Sequence, residues 1–141
     1  MRLGIVASRF NEEICAKLVD GARAEAQKLK AECTVVSVPG ALEIPLALQW
    51  MAQSGRFDAL VALGAVIRGD TYHFDIVANE SARGVMDVML ECGVPVAKAI
   101  LTTEDEAQAL ARLDKGAEAV RVAVEMWKLR AGLREQMHEN R

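Results

Sequence analysis

The sequence has few aromatic residues, few cysteines and no excess of positive charge. Phenylalanine, tryptophan and tyrosine make up 4% of its 141 residues, whereas 52% of the residues are hydrophobic. The apolar interior must therefore consist mainly of small and β-branched side chains that pack tightly between layers. A chain of this length (residues 1–141) fits a single domain with its own core.

The charge balance and the hydrophobic runs exclude two classes of partner. The formal net charge is −3 at pH 7, and no basic stripe occurs before the last dozen residues, so we expect no nucleic-acid partner. No segment reaches the roughly 18 uninterrupted apolar residues of a membrane span. The first residues resemble a strand and not a signal peptide. We therefore expect no membrane association.

The cysteine pattern indicates reduced thiols. Cys15, Cys33 and Cys92 are odd in number and follow neither CxxC nor zinc-ligand spacing. Free cysteines in a cytoplasmic protein are the simplest interpretation. No set of histidines, cysteines and carboxylates has metal-site spacing either, so the sequence predicts no metal.

Short β-branched runs alternate with longer helical periodicities along the chain. The runs that predict buried strands are Leu3–Ala7, Cys33–Val38, Ala59–Ile67 and Val94–Leu101. Helical spacing predicts a helix between each pair of strands, the first capped by Asn11, and two more helices after the last strand. This order predicts a flavodoxin-like three-layer αβα sandwich with a four-stranded parallel sheet.

The two last helices have distinct sequence signals. Thr103 with Glu106 fits a capping box for a short helix that ends at Leu113. The last helix is predicted from about Lys115 to Arg130, with a narrow charged stripe and apolar residues elsewhere. A helix that is apolar over so much of its circumference is expected to be buried against more than its own sheet.

Residues with chemical potential follow three of the predicted strands. Phe10 follows the first strand, the segment Val38–Glu43 ends the second, and Ala65–His73 ends the third. The carboxyl ends of parallel strands meet at one edge of a sheet, where helix N-termini present free N–H groups. The loop Arg68–Thr71 matches neither a P-loop nor a GxGxxG fingerprint, but its backbone can hold a single phosphate.

Each of these residues has a structural interpretation beside the functional one. Phe10 is either a hydrophobic staple onto the next helix or a stacking surface for a flat heterocycle. Glu43 either complements a helix N-terminus or accepts hydrogen bonds from a ligand. His73 is either a surface imidazole or a proton-transfer group, and the adjacent Gly-Asp-Thr turn favours the second. These residues alone predict an α/β domain that binds a small phosphorylated ligand.

Four sequence motifs together resemble the 6,7-dimethyl-8-ribityllumazine synthase family. They follow the family's order and spacing over essentially the whole chain: Arg9-Phe10-Asn11, Val38–Pro45, Gly64–Gly69 with His73, and Leu101–Glu104. The resemblance implies the penultimate step of riboflavin synthesis. In that step 5-amino-6-(D-ribitylamino)uracil condenses with 3,4-dihydroxy-2-butanone 4-phosphate, with loss of phosphate and water. This chemistry needs proton transfers but no redox step, metal or cofactor.

The resemblance also implies roles for individual residues. Phe10 would stack on the pyrimidine, and the remaining pyrimidine and ribityl contacts would come from Ala41, Leu42, Glu43, Ala65, Val66 and Ile67. Asp70 and Thr71 would hold the phosphate through backbone groups, and Arg112 would pair with it bidentately. His73 would be the proton shuttle.

Two lysines complete the set of substrate-binding residues that the resemblance implies. Lys98 stands where the family often has an aromatic residue that faces the pyrimidine. Lys115 matches a family lysine near the phosphate when a short deletion in the segment 113–116 is placed just before it.

The resemblance finally implies an assembly. In this family the site spans two neighbouring subunits of a pentamer, and the neighbour supplies the arginine, so we expect a homopentamer with the apolar last helix at the interface. The short segment 113–116 and a start at the family's second strand favour a free pentamer over a sixty-subunit shell. Association with riboflavin synthase is a further implication. A non-catalytic flavin- or lumazine-binding paralogue and a structural assembly protein are the alternatives.

Overall fold

The computed structural model describes residues 1–139, which form a four-stranded sheet with helices on both faces. The strands are β1 (Arg2–Ser8), β2 (Glu32–Val38), β3 (Ala59–Ile67) and β4 (Val96–Thr103). The helices are α1 (Glu12–Lys28), α2 (Ile44–Gln53), α3 (His73–Cys92), α4 (Glu106–Leu110) and α5 (Lys115–Glu139), and a 3₁₀ turn (Ala41–Glu43) precedes α2. All strand pairs are parallel and the order is β2-β1-β3-β4. The predicted three-layer α/β architecture is confirmed.

An apolar core forms on each face of the sheet. Leu63 and its alternate neighbours on β3 pack beneath α1 and α5, whereas Leu60 and Ala62 face α2 and α3. Successive side chains of a strand point to opposite faces, so a central strand covered on both sides must be apolar at every position. This requirement explains the uninterrupted apolar run of β3.

Small residues let the layers approach closely, as the low aromatic content predicts. A Cβ atom at Gly84 of α3 would lie 2.6 Å from the side chain of Pro45 at the start of α2. A Cβ atom at Gly116 would lie 2.6 Å from the backbone carbonyl oxygen of Leu18 in α1. Both contacts are shorter than van der Waals distance, so these helix pairs depend on glycine.

The two predicted helix caps have different outcomes. Asn11 is the N-cap residue of α1, as predicted, and its carbonyl accepts the N–H of Cys15 at 3.1 Å. Its backbone is left-handed (φ 59°), however, and its side chain makes no capping bond. The predicted cap of α4 is wrong. At α4 the cap is Asp105, whose carboxylate accepts a hydrogen bond from the backbone N–H of Gln108 at 2.8 Å. Thr103 is instead the last residue of β4, where it pairs with Ile67 and therefore stays extended. The short helix ends at Leu110, before the predicted end.

The last helix is longer than predicted, because it continues to Glu139. Its outward face carries a stripe of exposed apolar side chains: Val122, Met126, Leu129, Leu133 and Met137. Their spacing keeps them on one side of the helix over almost its whole length. No other part of residues 1–139 covers this stripe. Within residues 1–139, no helix combines the length and apolar character that a membrane crossing needs.

Candidate active site

A cleft of about 410 Å³ opens at the carboxyl edge of the sheet, next to the first turns of α3. The loop after β1, the 3₁₀ turn after β2 and the end of β3 form its walls. The predicted site residues that line it are Phe10, Ala41, Leu42, Glu43, Ala65, Val66, Ile67, Thr71 and His73. Parallel strands thus bring together segments far apart in sequence, at the sheet edge where α/β proteins bind ligands.

The Phe10 ring stands at the mouth of the cleft. Its side chain is 70% exposed, so it does not pack on α1 as a hydrophobic staple. The loop around it is nevertheless tied down on two sides: the N–H of Arg9 donates to the carbonyl of Val38 at 2.8 Å, and the side-chain amide of Asn11 donates to the carbonyl of Ala65 at 3.1 Å. An exposed ring on a fixed loop is suited to stacking on a flat ligand.

The buried thiol of Cys15 holds the Phe10 loop through a hydrogen bond. The Sγ of Cys15 donates to the carbonyl oxygen of Phe10 at 3.2 Å and lies 3.5 Å from the hydroxyl of Ser8. Burial raises the pKa of the Cys15 thiol, and the contact with Ser8 lowers it to a smaller extent. The thiol is therefore neutral near pH 7 and remains a hydrogen-bond donor.

The 3₁₀ turn presents Glu43 to the cleft. Glu43 directly precedes α2, yet its carboxylate makes no capping hydrogen bond to that helix. Ala41 of the same turn is buried, so the turn is anchored while the Glu43 side chain is exposed. An uncommitted carboxylate on a cleft wall favours an acceptor role toward ligand hydroxyl or amino groups over helix capping.

The loop between β3 and α3 forms the remaining wall. Gly69 and Thr71 line the cleft, and Asp70 lies between them without lining it. The hydroxyl of Thr71 accepts the backbone N–H of His73, the first residue of α3, at 3.3 Å. The positive end of a 20-residue helix therefore lies beside this loop and favours bound anions. The exposed His73 imidazole is within the same cleft.

Lys98 does not line the cleft. It lies on β4 in register with Ala62, three residues before Ala65, which places it about 10 Å along the sheet from the cleft. Burial lowers the pKa of its ammonium group, although part of the side chain is exposed. Within one subunit this lysine therefore belongs to a different surface.

Arg112 and Lys115 also lie away from the cleft. They flank the turn between α4 and α5, whose Leu113 packs into the core on the α1 side of the sheet. The Arg112 guanidinium donates to the carbonyl of Gln108 at 2.9 Å, and the Lys115 ammonium lies 2.9 Å from the carboxylate of Glu118. A single subunit thus does not bring these cations to the predicted phosphate loop.

Two cleft residues were not predicted from the sequence: Phe74 and Val77. Gly40 and Gly69 also line the cleft, and both lie within predicted segments, Val38–Glu43 and the loop Arg68–Thr71. Phe74 and Val77 follow His73 by one and four residues. The apolar spacing of α3 could have identified Val77, because its neighbours on the same helix face are buried. Within residues 1–139, no group of three or more histidine, cysteine or carboxylate side chains is arranged to hold a metal ion.

Known proteins of one family are similar to this chain over nearly its whole length. Residues 1–131 match the family described as 6,7-dimethyl-8-ribityllumazine synthase. Proteins of that name from Burkholderia multivorans and Paraburkholderia phymatum are 56% and 55% identical to it over 137 residues, which cover 94% of this chain and 80% of theirs. The protein of that name from Burkholderia vietnamiensis is 55% identical, with 81% of its length covered.

Proposed function

Since the chain belongs to the 6,7-dimethyl-8-ribityllumazine synthase family, we propose that it makes this lumazine in riboflavin biosynthesis. Its substrates are 5-amino-6-(D-ribitylamino)uracil and 3,4-dihydroxy-2-butanone 4-phosphate, and phosphate and water are released. The observation that carries the proposal is the cleft itself, which joins an aromatic surface, a free carboxylate, an imidazole and a helix N-terminus.

One end of the cleft suits the pyrimidine and its ribityl chain. Phe10 stacks on the ring, while Val66 and Ile67 at the end of β3 contact its edge. Ala65 completes this edge. The 3₁₀ turn Ala41–Glu43 lines the ribityl pocket, and the Glu43 carboxylate accepts hydrogen bonds from the hydroxyl groups. The exposed Phe10 ring and the uncommitted carboxylate support these assignments.

The other end suits the phosphorylated ketone. Backbone N–H groups of Asp70 and Thr71 hold the phosphate, assisted by the positive end of α3. This placement brings the ketone carbonyl next to the amino group of the pyrimidine. Much of the rate acceleration then comes from holding two reactants in one orientation.

His73 carries the proton transfers between these ends. The 5-amino nitrogen attacks the ketone carbonyl, and two protons pass from nitrogen to the carbonyl oxygen, which departs as water to give the imine. A proton then leaves carbon as the phosphate is expelled, and tautomerisation forms a new carbonyl. Ring closure by the ribitylamino nitrogen on this carbonyl expels its oxygen as a second water. An imidazole exchanges protons readily near neutral pH, and His73 is the first residue of α3, two positions after Thr71 of the phosphate loop.

We further propose a homopentamer in which Arg112, Lys115 and Lys98 of one subunit face the cleft of the next. Arg112 pairs with the phosphate, Lys115 lies near it, and Lys98 approaches the pyrimidine. Their distance from the cleft of their own subunit supports this arrangement. The exposed apolar stripe of α5 supports a subunit interface, because a surface of this kind is usually covered.

The proposal also includes a cytoplasmic location and an association with riboflavin synthase. The three cysteines form no disulfide within residues 1–139, which supports a cytoplasmic location. An association with riboflavin synthase would fit an enzyme whose product is the substrate of the next step.

A single assay tests the reaction. Purified protein is mixed with both substrates, and lumazine absorbance and phosphate release are followed together. Equal amounts of lumazine and phosphate are expected, and absence of product would reject the enzyme. Quenching of flavin fluorescence without turnover would instead favour the binding paralogue. Sedimentation velocity measures the pentamer independently.

A further inference from the structure

Arg68 joins the end of the sheet to the first turn of α3. Its Nε donates to the carboxylate of Glu104 at 2.8 Å, and its Nη1 lies 3.7 Å from the carboxylate of Asp75. Its guanidinium carbon lies 4.4 Å from the centre of the Phe74 ring. Its backbone N–H donates to the carbonyl of Thr103 at 2.9 Å, so the residue is also fixed to β4.

These contacts enclose the proposed phosphate loop, Gly69–Thr71. Arg68 directly precedes the loop, and its side chain holds Phe74 and Asp75, which follow the loop. The loop has little packing of its own: a Cβ atom at Gly69 would meet no atom within 4 Å. Its conformation therefore depends on what holds its two ends.

The charges around Arg68 argue against a direct role in phosphate binding. One guanidinium faces two carboxylates, so the cluster of Arg68, Asp75 and Glu104 has a net negative charge. Each pair is partly exposed and stabilises little on its own, but the planar guanidinium engages both carboxylates and the Phe74 ring at once. A guanidinium engaged in this way fixes the positions of the groups around it, and its charge is already balanced by the two carboxylates.

We propose that Arg68, held by Glu104, is a positioning residue that shapes the phosphate subsite and the Phe74 wall of the cleft. This inference rests on the proposed function. It also gives a role to Glu104. This residue ends the motif Leu101–Glu104, and none of the proposed substrate contacts involves it. Arg68 acts through the loop backbone and Phe74, without touching the substrate.

The experiment compares the variants Arg68→Gln and Glu104→Gln with the unmodified protein. We measure the KM of each substrate, kcat, and the dissociation constant of inorganic phosphate by calorimetry. Arg68→Gln should raise the KM of the phosphorylated ketone and the phosphate dissociation constant about 5- to 30-fold, with little change in the KM of the pyrimidine. Glu104→Gln should raise both by about 2- to 5-fold, and Arg68→Lys should recover part of the loss.

Arg83 provides a matched control. It also pairs with two carboxylates, those of Glu80 and Asp87, but it lies further along α3 and does not line the cleft. Arg83→Gln should leave both KM values and phosphate affinity unchanged. Thermal unfolding and sedimentation of every variant exclude general loss of folding or assembly. Because the Glu104 side chain is 60% exposed, its variant remains informative even if Arg68→Gln folds poorly.

Three results would overturn the inference. Unchanged ketone KM and phosphate affinity in both variants would show that the loop keeps its shape without Arg68. Tighter phosphate binding in Glu104→Gln would show that the freed guanidinium is itself a phosphate ligand. If the unmodified protein forms no lumazine, the proposed function fails, whereas the phosphate affinities still decide the role of Arg68. Absence of phosphate binding to the unmodified protein would reject the inference, whereas lumazine formation would still decide the proposed function.

Discussion

The side-chain amide of Asn11 donates a hydrogen bond to the carbonyl oxygen of Ala65, 3.1 Å away, and so joins two walls of the cleft. Asn11 follows Phe10, and Ala65 lies on the part of β3 that lines the cleft. The left-handed backbone of Asn11 turns its side chain away from α1 and toward β3. The bond therefore fixes the height of the Phe10 ring above the strand on which the pyrimidine is proposed to lie.

Replacing Asn11 with Asp tests this bond. Aspartate tolerates the left-handed backbone but has no donor for the carbonyl of Ala65. Loss of one hydrogen bond predicts a rise of roughly 2- to 12-fold in the KM of the pyrimidine substrate, with a small change for the ketone. Steady-state kinetics at fixed concentrations of the second substrate measure this. Asn79→Asp, on the exposed side of α3, is the control; equal kinetics for the two variants would contradict the role of Asn11.

Replacing His73 with Gln removes the proposed proton-transfer group but keeps a polar side chain at the start of α3. We expect kcat to fall by about 10²- to 10⁴-fold, the usual contribution of general acid–base catalysis, while the KM values change little. Rapid-quench measurement of phosphate release shows whether elimination is the slowed step. A variant that retains more than about a tenth of kcat would place the proton transfers on another group or on solvent.

The fold was predictable where the local pattern alone determines the outcome. β3 occupies the predicted Ala59–Ile67, because burial on both faces leaves no polar position in the strand. The cap of α4 was not predictable in this way. Thr103 and Asp105 both have the chemistry of a cap, and the choice depends on how far β4 pairs with β3. That pairing is a long-range property.

The candidate site could also be predicted only where the local sequence pattern determines it. Loops after parallel strands had to meet at one edge, so the cleft residues from Phe10 to His73 could be grouped from the sequence. The bond from Asn11 to Ala65 spans 54 positions and depends on an unusual backbone angle. The separation of Arg112 from the cleft depends on which face of the sheet α4 and α5 cover. Hydrophobic spacing does not specify the face.

The Cys15 thiol predicts a pH dependence of stability. Its folded-state pKa is raised above the ordinary value of 9.0 by burial. A raised pKa means that the folded protein holds this proton more tightly than the unfolded chain. Its contribution is therefore complete below the ordinary pKa and is lost as the pH rises from there through the folded-state pKa. Between those values the free energy of unfolding falls by up to about 1.4 kcal/mol per pH unit.

Urea unfolding at pH 7 and at stepwise higher pH, at one protein concentration, measures this slope. Cys15→Ala should unfold more easily at pH 7, because it leaves the carbonyl of Phe10 without its donor, and should lack this part of the alkaline slope. Cys33→Ala, whose thiol is not engaged in this network, is the matched control. Parallel slopes for the unmodified protein and Cys15→Ala would contradict the prediction.

Mixed assemblies test the proposed shared site most directly. His73→Ala subunits lack the proposed proton shuttle but keep Arg112, while Arg112→Ala subunits have the reverse defect. Each variant alone should be nearly inactive. After unfolding and refolding together in equal amounts, a working site forms wherever the cleft of an Arg112→Ala subunit meets the arginine of a His73→Ala neighbour. Random mixing makes this about a quarter of all sites, so about a quarter of normal activity should return.

Variants refolded separately and then mixed provide the control, because intact pentamers that exchange subunits slowly should stay inactive. No recovery in refolded assemblies of normal size would mean that His73 and Arg112 act on the same substrate from within one subunit. Normal activity of Arg112→Ala alone would mean that Arg112 has no part in the site.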